Sequence, residues 1–431
     1  MEKLSHFVDF YVLICVFYII RDGSSLTQIA NCDMEAEKMI KRAYIWLAAG
    51  FILFNSTGFV FAQNEQWLQY HSARELNLTG IGSSAKLLEI DEKTPSDVNL
   101  PKFIGEDQVF TKWVTPMVEK GFLWIALDRS NKFGMYDILY IDSNGDGKLD
   151  DEEPVRQYRI DQTSSYFGPV KVVFRLKDGP VSYHLNFRYY GYSDTKRLYA
   201  YTGGWYQGEI TVDGEKKQCI LFDYNTNGTF NDKAVIPSEC DRIRISSTND
   251  PEDTRFVGNY IKVDDKFYEP EIARDGAFVK LAEAKDIKFG KVRLPESVTE
   301  LVAGGLNGQF TITPENGVGS LPVGMYQLNN WVVRRSDDKG SKWELTGTQS
   351  RSADLFEINE ANETVLEIGE PLISSVSASY REGSYSFSQQ LVGKSGENVT
   401  LMRNGTRPQA PQLNIKNKDG TYDRTYTFSY G

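Results

Sequence analysis

The sequence predicts a mainly β protein, in which an antiparallel β domain is followed by a C-terminal β-sandwich. Aromatic residues make up 13% of the chain, with 24 Tyr and 24 Phe, and such residues favour strands. From Phe122 onward, short apolar runs such as Leu123–Leu127 alternate with turn signals. One of these signals is Asp213-Gly214, and Asp-Gly between two alternating runs is a strong indication of a hairpin.

The first 62 residues have the pattern of a leader. A basic start at Met39–Arg42 is followed by an apolar run that ends in small residues at Ala62, which is typical of a signal peptide over residues 39–62. We expect cleavage near Ala62 and a secreted or periplasmic mature chain without a membrane span. Translation would then begin at Met34 or Met39, after an over-extended start. The alternative is an uncleaved anchor over residues 44–62.

Beyond the leader, the sequence divides into four segments. Residues 63–105 are irregular, with a short helix expected around Trp67. Residues 106–268 alternate as the strands of one antiparallel β domain. Residues 269–298 form a predicted linker. Residues 299–431 contain short strands spaced roughly 8 to 15 residues apart, as in a β-sandwich of immunoglobulin-like or prealbumin-like type.

Residues 142–153 form the most specific pattern in the chain and fit the calcium-loop motif D-x-[DN]-x-[DN]-G-x5-E. Calcium takes six to eight oxygen ligands, and this motif supplies them at alternate positions. Gly147 allows the sharp turn, and Leu149 occupies the apolar position. The expected ligands are Asp142, Asn144, Asp146, the Lys148 carbonyl, Asp150 and Glu153, the last through both carboxylate oxygens.

Over its own length this loop resembles the calcium loops of EF-hand and dockerin proteins. The resemblance implies Ca²⁺ as the ion, but it does not extend to the helices that flank an EF-hand loop. Tyr136–Ile141 is a strand-forming run, and Pro154 disfavours a helix directly after the loop. Val155–Ile160 alternates as a second strand. The alternative to calcium binding is a metal-free Asn-Gly hairpin between these strands.

A weaker copy of the pattern begins at Asp223. It also follows an apolar run, which predicts a repeated strand–loop–strand unit. Its twelfth position is Ala234, so the bidentate glutamate is missing and calcium would bind more weakly. A metal-free Asn-Gly turn is therefore an equal alternative. The candidate ligands of this second loop are Asp223, Asn225, Asn227, Thr229, Asn231 and Asp232.

Cys219 and Cys240 are the two cysteines that remain beyond the leader, an even number that suits an exported protein. Cys219 begins the strand that enters the second loop, and Cys240 lies just past the segment that leaves it. We predict a disulfide between them that closes this hairpin. Two buried free thiols are the alternative.

Residues Leu321–Tyr326 are similar to the P-x-G-x-Y turn of prealbumin-like and carboxypeptidase-regulatory-like sandwiches. The resemblance covers only these few residues, and it implies a fold and not an activity. It agrees with the β-sandwich predicted for residues 299–431.

No motif in the sequence assigns a reaction. The net charge of −11 without a basic patch argues against nucleic acid, and His71 and His184 stand apart from any zinc or triad pattern. We expect a non-enzymatic, exported calcium-binding protein in which Ca²⁺ rigidifies a β domain, with a cell-surface polysaccharide or protein as partner. The alternative is a polysaccharide-binding or polysaccharide-degrading protein, with Trp205 and Tyr206 as a sugar platform if they are exposed.

The expected cleavage site is directly testable. Export should produce a mature chain that begins at Gln63, because the small residues Val60 and Ala62 suit a signal peptidase. N-terminal sequencing of the exported product checks this, and a mature start well upstream of Gln63 would contradict it.

Overall fold

The structure, a computed structural model, describes residues 65–74, 85–132, 134–192, 195–248, 250–349 and 355–430. Its described residues are mainly β, with antiparallel sheets and two single 3₁₀ turns, at Pro237–Glu239 and Pro251–Asp253. This confirms the predicted fold class. The predicted leader lies outside the described residues. Among those residues, no helix has the length and apolar character needed to cross a membrane.

Strands in the first part of the described chain form four sheets. These strands are β1 (Gln66–Trp67), β2 (Gln69–Ser72), β3 (Lys86–Leu88), β4 (Val109–Val114), β5 (Phe122–Asp128), β6 (Ile138–Ile141), β7 (Val155–Arg156), β8 (Arg159–Ile160), β9 (Ser164–Leu176), β10 (Gly179–Tyr192), β11 (Thr195–Thr202), β12 (Gly204–Val212), β13 (Glu215–Phe222), β14 (Arg242–Ser246), β15 (Thr254–Phe256), β16 (Ile261–Val263), β17 (Lys266–Ile272) and β18 (Phe278–Glu283). The sheet orders are β3-β11-β10-β9-β8, β15-β14-β13-β12-β2, β4-β5-β6-β7 and β1-β18-β17-β16. One hydrophobic core takes residues from all four sheets.

Strands in the second part form a smaller three-stranded sheet, a long sheet and a separate hairpin. They are β19 (Phe289–Arg293), β20 (Glu300–Gly305), β21 (Gly308–Ile312), β22 (Val318–Pro322), β23 (Gly324–Ser336), β24 (Lys342–Thr348), β25 (Leu355–Ile358), β26 (Thr364–Val365), β27 (Ile373–Arg381), β28 (Ser384–Val392), β29 (Asn398–Arg403), β30 (Gln412–Lys416) and β31 (Asp423–Thr427). The sheet β22-β19-β26 and the sheet β21-β20-β23-β24-β29-β28-β27 share a second core around Trp331. Hairpin β30-β31 forms a two-stranded sheet of its own and pairs with neither of these sheets.

The N-terminal segment is more regular than its sequence suggests. Instead of the short helix expected around Trp67, β1, β2 and β3 each add an edge strand to a different sheet. Likewise, the segment 269–298, predicted as a linker, contains β18, β19 and the end of β17. Val155–Ile160, predicted as one strand, is divided between β7 and β8, which pair in different sheets. Pairing with strands that are distant in sequence determines the secondary structure of each of these segments, and the local sequence does not reveal that pairing.

The Asp-Gly hairpin forms as the sequence predicts. Asp213 and Gly214 have φ values of 51° and 83°, and they join β12 to β13 with Val212 opposite Glu215. Two positive φ angles define the type I′ turn, whose twist matches that of antiparallel strands. Gly214 therefore has a conformation that few other residues adopt at low cost.

Tyr326, in the segment similar to the P-x-G-x-Y turn, is fully buried in the second core. Its hydroxyl donates a hydrogen bond to the backbone oxygen of Pro322 at 2.8 Å. A buried tyrosine needs such a partner, because an unpaired hydroxyl would lose its hydration without compensation. This bond fixes the short corner between β22 and β23.

The predicted disulfide is wrong, because Cys219 and Cys240 are both buried free thiols. Cys219 lies inside β13, between Gly208 of β12 and Ile245 of β14, and its side chain packs in the first core. Cys240 instead directs its sulfur to the backbone oxygen of Ala234, at 3.3 Å. Each thiol therefore has its own contacts within the fold, and backbone pairing between strands closes the hairpin without a disulfide.

The two thiols should be inert in the folded protein. Burial raises the pKa of Cys219 to about 12 and also raises the pKa of Cys240, so neither forms the reactive thiolate at neutral pH. We expect a thiol reagent to label both only after unfolding, and a reducing agent to leave the melting temperature of the mature chain unchanged. A lower melting temperature in reductant would show a disulfide.

Candidate metal centre

The first loop is attached to the end of a completely buried strand. All four residues of β6 are buried, and the next residue, Asp142, is only 2% exposed. The chain then passes through Gly145 and Gly147, with φ values of 72° and 84°, and returns to pair as β7. Leu149 is fully buried, as the apolar position of the motif predicts, and its N–H bonds to the oxygen of Asn99 at 2.9 Å.

The side-chain oxygens of the first two predicted ligands, Asp142 and Asn144, share one backbone donor. The N–H of Asp146 lies 3.0 Å from Oδ1 of Asp142 and 2.9 Å from Oδ1 of Asn144. The N–H of Gly147 bonds to the second oxygen of Asp142 at 2.9 Å. Since one donor reaches both Asp142 and Asn144, their oxygens lie close together on the inner side of the turn. The carboxylate of Asp146 itself accepts from the backbone N–H of Lys148 at 2.9 Å.

Two ammonium groups lie at this turn. Lys148 donates from Nζ to Oδ2 of Asp146 at 2.9 Å, and this bond lowers the pKa of Asp146. Nζ of Lys120 lies 2.0 Å from where a Cβ on Gly147 would stand. Burial raises the pKa of Asp142, whose charged form therefore gains from a nearby cation. The first loop thus concentrates negative charge and attracts positive groups.

Glu153 is not brought to the first loop. The preceding residue, Glu152, occupies the inner position, where its two oxygens accept from the N–H and hydroxyl of Ser143 at 2.6 and 2.7 Å. Glu153 and Asp150 are exposed, and no hydrogen bond to either side chain is found in the described chain. In an EF-hand, a helix carries position 12 back to the ion. Here the chain enters β7 instead, so the twelfth residue faces solvent.

The second loop repeats the backbone bonding of the first at equivalent positions. Asp223 is fully buried at the end of β13 and accepts from the N–H groups of Asn227, at 3.3 Å, and Gly228, at 2.7 Å. The N–H of Thr229 bonds to Oδ1 of Asn227 at 2.8 Å, as that of Lys148 bonds to Asp146 at 2.9 Å in the first loop. The two segments are therefore structural copies, which agrees with the predicted repeat.

Hydrogen bonds fill the interior of the second loop. Oδ2 of Asp232 accepts from the amides of Asn225 and Asn227, at 2.9 and 2.6 Å, and from the hydroxyl of Thr229, at 2.8 Å. The side-chain amide oxygen of Asn225, Oδ1, is buried without a hydrogen-bond partner among the described residues. The side chain of Asn231 points away from the loop interior and donates to the backbone oxygen of Ile272 at 3.4 Å. Five of the six predicted residues thus lie together, and Asn231 does not join them.

Asp241 is a member of the second loop that the sequence did not indicate. It is fully buried and accepts from the N–H of Tyr224, at 3.1 Å, and from the N–H of Asp232, at 2.8 Å. Burial, together with the charges of Asp223 and Asp232, raises its pKa well above the usual range. It stands outside the twelve-residue motif, at the start of β14, so no spacing rule could have found it.

Two aromatic side chains of the core donate hydrogen bonds to the second loop. Tyr183 donates from its hydroxyl to Oδ2 of Asp223 at 2.8 Å, and Trp113 donates from Nε1 to the oxygen of Thr226 at 2.8 Å. The rings of Tyr183 and Trp113 are stacked, with centroids 5.7 Å apart. Thr226 has a φ of 56°, a strained value that these contacts help to maintain. Burial raises the pKa of Asp223 to about 6.

The described residues contain no group of three His, Cys, Asp or Glu side chains able to hold a metal ion by themselves. A metal at either loop would therefore depend on amide and backbone oxygens as well. Trp205 and Tyr206 are each only 7% exposed, so they belong to the core and form no sugar platform.

Searches for a matching protein family, a related curated protein and a similar solved structure each found none.

The Tyr183 hydroxyl should contribute measurably to stability. Tyr183→Phe removes a donor from the buried Asp223 carboxylate, and an incompletely bonded buried group costs about 1–3 kcal/mol. Urea unfolding of the two proteins measures the difference. Tyr192→Phe is the matched control, because Tyr192 is 64% exposed and should change the free energy of unfolding by less than about 0.5 kcal/mol. Equal effects of both variants would contradict the role given to Tyr183.

Proposed function

We propose that this chain is an exported, non-enzymatic calcium-binding protein in which one Ca²⁺ at the first loop stiffens a β domain. The observation that carries the proposal is the shared backbone donor that holds oxygens of Asp142 and Asn144 together at the end of a buried strand, with the carboxylate Asp146 on the same turn. These are hard oxygen ligands of the kind that calcium prefers. The proposal assigns no catalytic residue.

The ligand set that we propose differs from that of an EF-hand. Asp142, Asn144, Asp146 and Asp150 would supply side-chain oxygens, Lys148 would supply its backbone carbonyl, and water would complete the shell. Glu153 is left out because the neighbouring Glu152 turns inward in its place and accepts from Ser143. To admit the ion, Lys148 would release its ammonium from Asp146 and leave that carboxylate to the metal.

A bound ion would stabilise the hairpin through charge. Asp142, Asp146 and Asp150 place three carboxylates on one short loop, and their mutual repulsion is reduced when a divalent cation binds between them. The loop is also tied to a neighbouring sheet, because the N–H of Val173 in β9 bonds to the oxygen of Ser143 at 2.7 Å. Stiffening the loop would therefore stabilise two sheets at once.

The second loop is proposed to hold its shape without an ion. Its inner carboxylate, Asp232, is already surrounded by three hydrogen-bond donors from Asn225, Asn227 and Thr229. Calcium could bind only if these donors turned away, since a cation and an N–H or O–H donor compete for the same oxygen. We therefore expect one calcium ion per chain, at the first loop.

Calcium should raise the melting temperature of the mature chain. An ion present at 100 times its dissociation constant adds about 2.7 kcal/mol to the free energy of unfolding. Scanning calorimetry in calcium and in chelator measures the effect, and titration calorimetry gives the expected stoichiometry of one. Asp142→Ala and Asp146→Ala should each abolish the increase. An unchanged melt with and without chelator would contradict calcium binding.

Two variants separate this site from its alternatives. Glu153→Ala should keep the calcium-dependent increase, whereas in an EF-hand loop the loss of position 12 would remove it. Asn227→Ala changes position 5 of the second loop, as Asp146→Ala does in the first, and should also keep the increase. If Asn227→Ala instead reduced the stoichiometry from two to one, the second loop would bind calcium too.

A further inference from the structure

The last strands of the chain enclose a large cleft. It lies between β28 and the hairpin β30-β31, and its volume is about 1040 Å³. Sites for small molecules usually measure about 300–1,000 Å³. The volume lies at the upper end of this range and leaves room for several linked rings.

Aromatic rings dominate the wall of this cleft. The phenylalanines are half-buried, whereas the tyrosines stand 38% to 68% exposed around them. Tyr385 and Phe387 lie on one face of β28, with rings inclined by only 24° and centroids 6.3 Å apart. The aromatic lining residues are Tyr385, Phe387, Tyr422, Tyr426, Phe428 and Tyr430.

Some of these rings are fixed in place by their own contacts. Tyr430 donates from its hydroxyl to the oxygen of Pro408 at 2.9 Å, and the guanidinium of Arg407 lies 5.2 Å from the centre of its ring. Tyr422 and Tyr426 bond to each other through their hydroxyls. Rings held in this way lose little further freedom when a ligand stacks on them.

The lining selects a neutral ligand with both apolar and polar faces. None of the lining residues that the structure describes is charged, and serine, threonine and glutamine side chains stand beside the rings. A purely apolar ligand would leave these hydroxyls and amides without partners. The lining itself offers no cation to an anionic ligand, because the guanidinium groups of Arg407 and Arg424 lie outside it, 5.2 and 5.6 Å from the centres of the Tyr430 and Tyr422 rings.

We propose that this cleft binds a neutral polysaccharide. A sugar ring presents C–H groups on its face, which pack against aromatic rings, and hydroxyls at its edge, which bond to tyrosine, serine and glutamine. The repeating rings of a polysaccharide can each meet one of the several aromatic rings that line the cleft. This inference rests on the C-terminal strands alone and is independent of the calcium proposal.

Binding can be measured by affinity electrophoresis in gels that contain a neutral polysaccharide, with α- and β-linked glucans, mannan and xylan as the panel and polygalacturonate as the acidic comparison. We expect at least one neutral polysaccharide to retard the mature chain, and polygalacturonate not to. The variant Tyr385→Ala with Tyr426→Ala should lower the affinity at least about fivefold, because two aromatic platforms are lost together. Both tyrosines are exposed, so the variant should keep its circular dichroism spectrum and melting temperature.

The matched control is Tyr192→Ala, which removes an equally exposed tyrosine from β10. It should bind as the unchanged chain does. Retardation should also persist in chelator, so failure of the calcium site would not be mistaken for failure of the cleft. The proposal would be overturned by retardation with polygalacturonate alone, by no retardation with any neutral polysaccharide, or by equal losses in the cleft variant and Tyr192→Ala. A dimer that the cleft variant disrupts, without glycan binding, would identify a second copy as the occupant.

Discussion

Both loops depend on one arrangement, a buried aspartate that ends a buried strand and accepts the N–H groups of the turn that follows. Asp142 ends β6 in this way, and Asp223 ends β13. A carboxylate inside a protein is costly unless donors surround it, so the turn must bring its backbone N–H groups inward. The need to satisfy one side chain therefore sets the path of the whole loop.

The two copies differ in what balances the negative charge. In the first loop, position 5 is the carboxylate Asp146, which accepts from the ammonium group and the backbone N–H of Lys148. In the second loop, position 5 is Asn227, whose amide donates to Asp232 and so provides part of that balance from within. Position 5 thus differs between the two copies. The carboxylate of the first loop pairs with an ammonium group, whereas the amide of the second loop donates a hydrogen bond to a carboxylate of its own loop.

The features that the sequence predicted correctly are those with a local cause. The strand before each loop and the Asp213-Gly214 turn depend only on neighbouring residues. Glu152 in place of Glu153 could not be predicted in the same way, because the direction of the exit strand decides which residue faces inward. Calcium itself stays a prediction.

Features that join distant parts of the chain were not visible in the sequence. Asp241 reaches the second loop because β14 pairs with β13, and β1 to β3 are strands because sheet edges offer them partners. The disulfide was predicted from an even number of cysteines, but cysteine also fills a core well as a free thiol. The aromatic cleft forms because β28 and a separate hairpin face each other.

The hairpin formed by β9 and β10 gives the two loops a shared support. Val173 in β9 binds the first loop through Ser143, and its partner in register is Ser182, next to the Tyr183 that binds Asp223. One strand pair therefore carries the anchors of both loops, within two neighbouring rungs of its ladder. Local opening of that ladder would release both anchors together, so the two loops and the hairpin should exchange their amide hydrogens as a single cooperative unit.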